Sequence, residues 1–451
     1  MSDGQFVRVI KRKEVLALAF GAMIGWSWVA LTGNWIDSAG SVGAILAFAS
    51  GGIAVVLVGL TYAELASAMP QAGGEHVYSY RALGRTASFI CTWAILLGYV
   101  SVVAFEAVAL PTVVDYLVPG FSRGYLWTVA GWDVHFTWVL LGAIAAIMMT
   151  VINILGIRAA AKLQLIATVL VAIGGIALIG GSAFAGSAQN MQPLFDHGLK
   201  GFLGVLVMVP FMFVGFDVIP QSAEEIDIPF RDIGRMLMVS IGLAVTWYVL
   251  IILAVSMGLP ADLRSASELP TADATVAVFA GAWAGKLLVI AGIGGILTSW
   301  NAFLIGGSRA IYALAKAGQL PAGLGYLHPR FNTPHRAILL VGALSVCAPL
   351  FGRPALVWLV DAGGLGIVIA YAFVAASFLV LRRREPEMDR PYSVRHARSV
   401  GWAALLLSIA IALLYLPWSP AALIWPWEWL IVLGWTLLGA IMLLFAPQKG
   451  T

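Results

Sequence analysis

The chain is 451 residues long, 61% hydrophobic and only 11% charged, with a net charge of +4. Average soluble chains carry roughly 25% charged residues, so the composition excludes an ordinary soluble enzyme and describes a protein that crosses a bilayer many times. The two cysteines, Cys91 and Cys347, fall in apolar stretches and are expected as buried free thiols, with no disulfide framework and no redox motif.

Basic Lys11, Arg12 and Lys13 lead into an apolar stretch that continues to about residue 36 without a small-residue cleavage pattern. It therefore reads as a span and not as a removed leader. Further runs near the ~20 residues needed to cross hydrocarbon follow in order. The expected spans are about 15–36, 41–69, 86–117, 136–154, 160–184, 199–221, 234–258, 281–316, 336–351, 354–381, 399–417 and 427–446, twelve in all. Loops that alternate sides from an inner N-terminus place 21 of the 26 Lys and Arg inside; only Arg123, Lys200, Arg264, Lys286 and Arg353 fall outside. That asymmetry satisfies the positive-inside rule with both termini cytoplasmic, and it explains the positive balance without a nucleic-acid partner. The longest polar stretches, Ala317–His335 and Arg382–Arg398, are then cytoplasmic loops, and no soluble domain is expected.

Two spans carry the residues of a helix broken at its middle. The first break is expected within Gly21-Ala22-Met23-Ile24-Gly25-Trp26-Ser27-Trp28, and the second within Pro210 to Pro220, around Phe211, Phe213, Gly215, Phe216 and Asp217. A break exposes backbone N–H and C=O groups that lipid cannot satisfy, so it survives only where it is buried or lines a polar cavity. Paired breaks in the two halves of a membrane protein point to a transporter's substrate site. Five spans separate the starts of the broken spans, one and six. Five is odd, so the second unit is inverted relative to the first. The expected organisation is a single transmembrane domain, 1–451, with inverted repeats at about 15–184 and 199–381 and accessory helices at about 399–446. In it, half-helix N-termini offer N–H groups to an anionic group and half-helix C-termini offer carbonyls to a cation, which suits a small zwitterion.

These residues resemble the amino acid–polyamine–organocation (APC) superfamily. Gly21-Ala22-Met23-Ile24-Gly25 is similar to its first-helix Gly-x-x-Ile-Gly, and Tyr62 to Tyr78 to its second-helix signature. Phe213-Val214-Gly215-Phe216-Asp217 matches the sixth helix, and Ala223-Glu224-Glu225 with Pro229 resembles the loop after it. Ser308-Arg309, Leu320-Pro321 and Arg390-Pro391-Tyr392 follow in the family order, so the resemblance spans about residues 8–395. It implies an all-α membrane protein with the LeuT-like 5+5 inverted repeat plus two extra helices. It also implies that amides of Trp26, Ser27 and Trp28, just after Gly25, hold a substrate carboxylate, with the Ser27 hydroxyl as a further donor. Carbonyls near Ala22 and Met23, and near Phe211 and Phe213, would hold the amino group, while Phe211, Phe213 and Phe216 would line the cavity and help form a gate. The chain departs from the family after Ile24-Gly25, where Trp26-Ser27-Trp28 replaces a Ser-Gly-Ile run. The indoles fit a smaller side-chain pocket, a ring stacked on a cation, or plain packing. His76 stands where a Tyr is frequent.

Several polar residues inside spans carry alternative roles. Asp217 is a gate element, a proton carrier, the partner of a cationic substrate, or a cap on the break. Glu106 in span three is free to bind a substrate ammonium, sit protonated, or help hold sodium. Asp361, about two turns inside the outer end of span ten, reads as an outer-gate residue, and Glu64 with Arg309 as an inner-gate pair. Some relatives carry a Lys in span five that stands in for sodium; here that position aligns with Val171. Thr298 and Ser299 in span eight, with carbonyls of Gly21 and Ile24, suit a hard monovalent ion. Sodium coupling, proton coupling through Asp217 or Glu106, and uncoupled exchange all remain open. No catalytic motif such as His-Glu-x-x-His or Gly-x-Ser-x-Gly is present, so the chain is expected to be no enzyme and to need no cofactor beyond a coupling Na+ or H+. Gly292-Ile293-Gly294-Gly295 lies in an apolar helix, where it suits close helix packing and not phosphate binding. The expected function is a secondary permease of the bacterial inner membrane that moves an amino acid by alternating access. The alternative is a carrier of a carboxylate-free amine such as ethanolamine or a polyamine, or an exchanger of the two. A di-acidic substrate fits least, because no basic residue is expected at the site.

Overall fold

The computed structural model describes residues 6–444 of the chain. The chain ends, Lys449 and the last residues of the twelfth expected span lie outside them. Among the described residues, eleven helices are long and apolar enough to cross a membrane, and the shorter apolar helix His335–Phe351 makes a twelfth candidate. Their boundaries fall close to those read from the sequence: Ser41–Ala68, Arg85–Leu117, Phe136–Leu155, Phe230–Gly258, Ala282–Lys316 and Ala355–Arg384, for example. Helix is the available state here because hydrocarbon offers no partner to a free backbone group.

Outside the spans the structure adds elements that hydropathy alone does not reveal. A two-stranded antiparallel hairpin, Tyr125–Val129 with Trp132–His135, joins spans three and four and packs on the turn before span ten, the Trp127 indole donating to the Leu350 carbonyl at 2.9 Å. Short helices Glu75–Leu83, Ala261–Ala266 and Pro270–Phe279 fill the connections after spans two and seven. One expectation is corrected: Cys91 is buried, but Cys347 is exposed on its helix, because it lies on a face that no neighbouring span covers.

Span three is the central post. It packs along spans ten and eight and is buried over most of its length. Spans eleven and twelve are peripheral; in Trp427–Leu444 only Glu428 and Gly439 are buried. Both expected breaks are present. Span one runs as a helix from Arg12 to Met23, opens at Ile24, Gly25 and Trp26, and resumes at Ser27–Ala30 and Thr32–Ala39. Span six is helical over Gly198–Phe213, turns through Val214 to Asp217, and resumes at Val218–Gln221. Gly215 takes φ +134°, a conformation side chains rarely adopt, and a Cβ there would lie 2.7 Å from Ala22 Cβ and 3.0 Å from the Met23 nitrogen. The two breaks therefore touch. Span eight closes on the first break by the same device: a Cβ at Gly295 would stand 2.6 Å from the Gly25 carbonyl oxygen.

Candidate functional site

Between the breaks lies a small cavity of about 20 Å³. Span one contributes Ala22, Met23, Gly25 and Ser27, and span three contributes Val102, Phe105 and Glu106. Phe211 and Met212 come from span six, Ser299 and Phe303 from span eight. This volume holds about one water molecule, so a substrate enters only if the bundle opens.

Six residues expected at a substrate site line this cavity: Ala22, Met23, Gly25, Ser27, Glu106 and Phe211. The other six are placed around it. Ile24 closes the first half-helix, its amide bonded to the Phe20 carbonyl at 3.0 Å. Trp26 packs against Gly292 of span eight, and Trp28 meets Trp247 edge to face with centroids 5.4 Å apart. Phe213 joins an aromatic cluster with Phe48 and Tyr248, and Phe216 packs between Tyr62 and Tyr371. Asp217 caps its own break: Oδ1 accepts the Gly215 amide at 2.7 Å and Oδ2 accepts the Tyr99 hydroxyl at 2.8 Å. Below it, Gln221 donates to Glu75, a fully buried acid beside the same break.

Sequence reasoning missed Val102, Phe105, Met212 and Phe303 as lining residues. Val102 lies four positions before Glu106, and Phe303 four after Ser299, so helical spacing from the polar residues was the available signal. Tyr248 of span seven had no such signal. Its hydroxyl donates to the Met23 carbonyl at 2.7 Å and lies 3.0 Å from the Ser27 hydroxyl.

The atoms expected around sodium are partly brought together. The Thr298 hydroxyl donates to the Gly21 carbonyl at 2.8 Å and also contacts Gly295 O at 2.9 Å. Ser299 is directed elsewhere, to Glu106 and to Gly295 O at 2.8 Å. Val171 packs against Gly294 of span eight. Asn301 and Gln164 tie spans eight and five together, 2.9 Å apart, and Gln164 reaches the Ala17 carbonyl of span one at 3.2 Å.

The one expected ion pair is not formed. Glu64 does not meet Arg309: it binds Arg382 at 2.5 Å and Arg390 at 3.1 Å, and accepts the Val394 amide at 2.8 Å. Arg309 instead makes a two-pronged bond to Glu225 at 2.9 Å, with both side chains buried. The last turn of span ten and the loop after it supply Glu64 with nearer cations, Arg382 and Arg390, and the segment after span six supplies Arg309 with an acid. Asp361 faces Glu428 of the peripheral span twelve, away from the cavity. His76 lies at the arginine-rich end, 2.8 Å from the Ser88 hydroxyl, where burial pushes its imidazole down to about 4.

Comparison with known proteins identifies the family. The amino acid permease family model matches residues 10–446. The chain belongs to that family. This permease is similar to the branched-chain amino acid permease BcaP of Bacillus subtilis, 25% identical over 89% of this chain and 86% of the relative. It is also similar to a methylthioribose transporter of the same organism, 24% identical over 98% of this chain and 94% of the relative. An aspartate-proton symporter of that organism is 25% identical over 88% of this chain and 78% of the relative. The permease is thus a transporter and not an enzyme, a multi-pass integral protein of the cell membrane in the APC family.

Proposed function

We propose that this permease is a secondary transporter that moves a small ammonium-bearing molecule, an amino acid or a related amine, by alternating access. The substrate binds between the unwound centres of spans one and six. The observation that carries this reading is the cavity itself: two broken helices meet there, and its one ionisable group is an acid. The three Bacillus relatives carry, by their names, branched-chain amino acids, methylthioribose and aspartate, so the family scaffold tolerates changes at the site. In this reading the spans form inverted repeats at about 15–184 and 199–381, the arginine-rich end is cytoplasmic, and the ionic contacts Arg309–Glu225 and Glu64–Arg382 hold that end shut. Sodium is the coupling ion this reading favours, because Thr298 and the Gly21 carbonyl already converge; a proton gradient is the alternative driver.

The test is uptake into proteoliposomes of a labelled pool of amino acids and simple amines, with sodium or potassium outside and with or without a pH gradient. Saturable uptake is expected, lost in Ala22→Trp, which fills the cavity, while that variant still purifies as a monodisperse species. Uptake that survives Ala22→Trp would place the site elsewhere. Sodium dependence that persists in Thr298→Val would remove the sodium assignment.

A further inference from the structure

Glu106 is the one ionisable side chain on the cavity, and it is 2% exposed. Its two oxygens are used differently. Oε1 accepts the Ser299 hydroxyl and lies against Gly25, where a Cβ would stand 3.1 Å from it. The Trp26 amide is directed at the same carboxylate. Oε2 is buried with no hydrogen-bond partner. None of the residues lining the cavity is Lys, Arg or His. A carboxylate held in low dielectric with an open acceptor and no cation beside it is costly, and a ligand cation removes that cost.

Two of the donors expected to receive a substrate carboxylate, the Ser27 hydroxyl and the Trp26 amide, are engaged. Tyr248 has one hydroxyl hydrogen, and it goes to the Met23 carbonyl. The contact between the Tyr248 and Ser27 hydroxyls must then carry the serine hydrogen. Ser27 therefore has no hydroxyl hydrogen left for a ligand, and the Trp26 amide faces Glu106. An incoming carboxylate at this helix end would have to lie beside the buried Glu106 carboxylate at like charge. An ammonium group meets the opposite situation. Oε2 is open to it, and the rings of Phe105 and Phe211, with centroids 6.0 Å apart, add cation–π attraction.

We infer that Glu106 is a built-in substitute for the substrate carboxylate, so that the ligand of this site is a small amine without a free carboxylate beside its ammonium. Ser299 acts as a positioning residue that fixes Oε1 and turns Oε2 toward the ligand. The inference rests on the reading of the cavity as the transport site.

The experiment uses the full-length chain in detergent and matched ligand sets: leucine, leucinamide and isopentylamine; ornithine, its methyl ester and putrescine. Thermal shift and equilibrium binding are read on the wild type and on Glu106→Gln. The amines, amide and ester are expected to bind the wild type at least about tenfold more tightly than the parent amino acids. Glu106→Gln is expected to weaken amine binding by at least about tenfold while keeping its unliganded melting temperature, since glutamine still accepts the Ser299 hydrogen. Amino acids binding the wild type as well as or better than the amines would overturn the inference and leave the cavity as the site. Unchanged amine binding in Glu106→Gln would also overturn it. Failure of every ligand to protect the wild type would remove the transport-site reading as well. Should Glu106→Gln not fold, the wild-type comparison of amine with amino acid decides alone.

Discussion

The two helix breaks solve one physical problem in different ways. The break in span six is closed from within: Asp217 uses one oxygen on its own turn and the other on Tyr99 of span three, and both are satisfied. The break in span one has no acid of its own. It borrows Glu106, also from span three, and that carboxylate keeps one oxygen without a partner. Tyr99 and Glu106 are seven residues apart, two turns or roughly 10 Å along one face of a helix. One central post thus serves both breaks. An acid with both oxygens satisfied is structural, whereas one that keeps an unpartnered oxygen at a cavity has capacity for a ligand.

The comparison makes its largest difference in stability. Asp217→Ala strands the Gly215 amide and the Tyr99 hydroxyl, at a cost of about 3–5 kcal/mol. Glu106→Ala loses the Ser299 contact and the acceptor of the Trp26 amide but also removes a buried acid with one unpartnered oxygen, so about 1–2 kcal/mol is expected. Melting curves of the two purified variants should show a far greater fall for Asp217→Ala; equal falls would erase the distinction between the breaks.

Next in size is Gly295→Ala, whose methyl meets the Gly25 carbonyl. Overpacking of this kind costs about 1–3 kcal/mol, and it should wedge span eight from span one and abolish uptake more completely than it lowers the melting temperature. Tyr99→Phe removes one of the two bonds to Asp217 and should cost about 1.5 kcal/mol with substrate affinity unchanged, measured by thermal shift with and without ligand. The smallest effect is expected of Ser299→Ala. Its stability cost is about 1 kcal/mol, and its signature is a weaker ligand response, which Tyr99→Phe should lack. A Tyr99→Phe variant that weakened binding as Ser299→Ala does would mean that the two breaks act as one site.

The breaks were legible in the chain to within a few residues. Glycine and proline weaken a helix, and an acid inside an apolar run persists in a bilayer only where protein groups satisfy it. The list of spans was legible because length and hydropathy decide membrane crossing almost alone. Ionic partners were not. Glu64 and Arg309 lie near the same end, yet each found a nearer partner, Glu64 at the last turn of span ten and Arg309 in the segment after span six. Trp26, Trp28, Phe213 and Phe216 sit beside the breaks in sequence but turn into neighbouring spans, since the rotation of a side chain about a break follows no helical period.

Composition and local pattern by themselves determined that this protein spans a membrane some twelve times, that two of its helices break within Gly21–Trp28 and Pro210–Pro220, and that acids lie at membrane depth. These are properties of short segments meeting lipid. Tertiary structure alone decided that Glu106 reaches the first break, that Tyr248 takes the Ser27 hydroxyl, and that Tyr99 binds Asp217. Such contacts join residues far apart in the chain, and their geometry depends on how close glycines such as Gly25 and Gly295 let the spans approach.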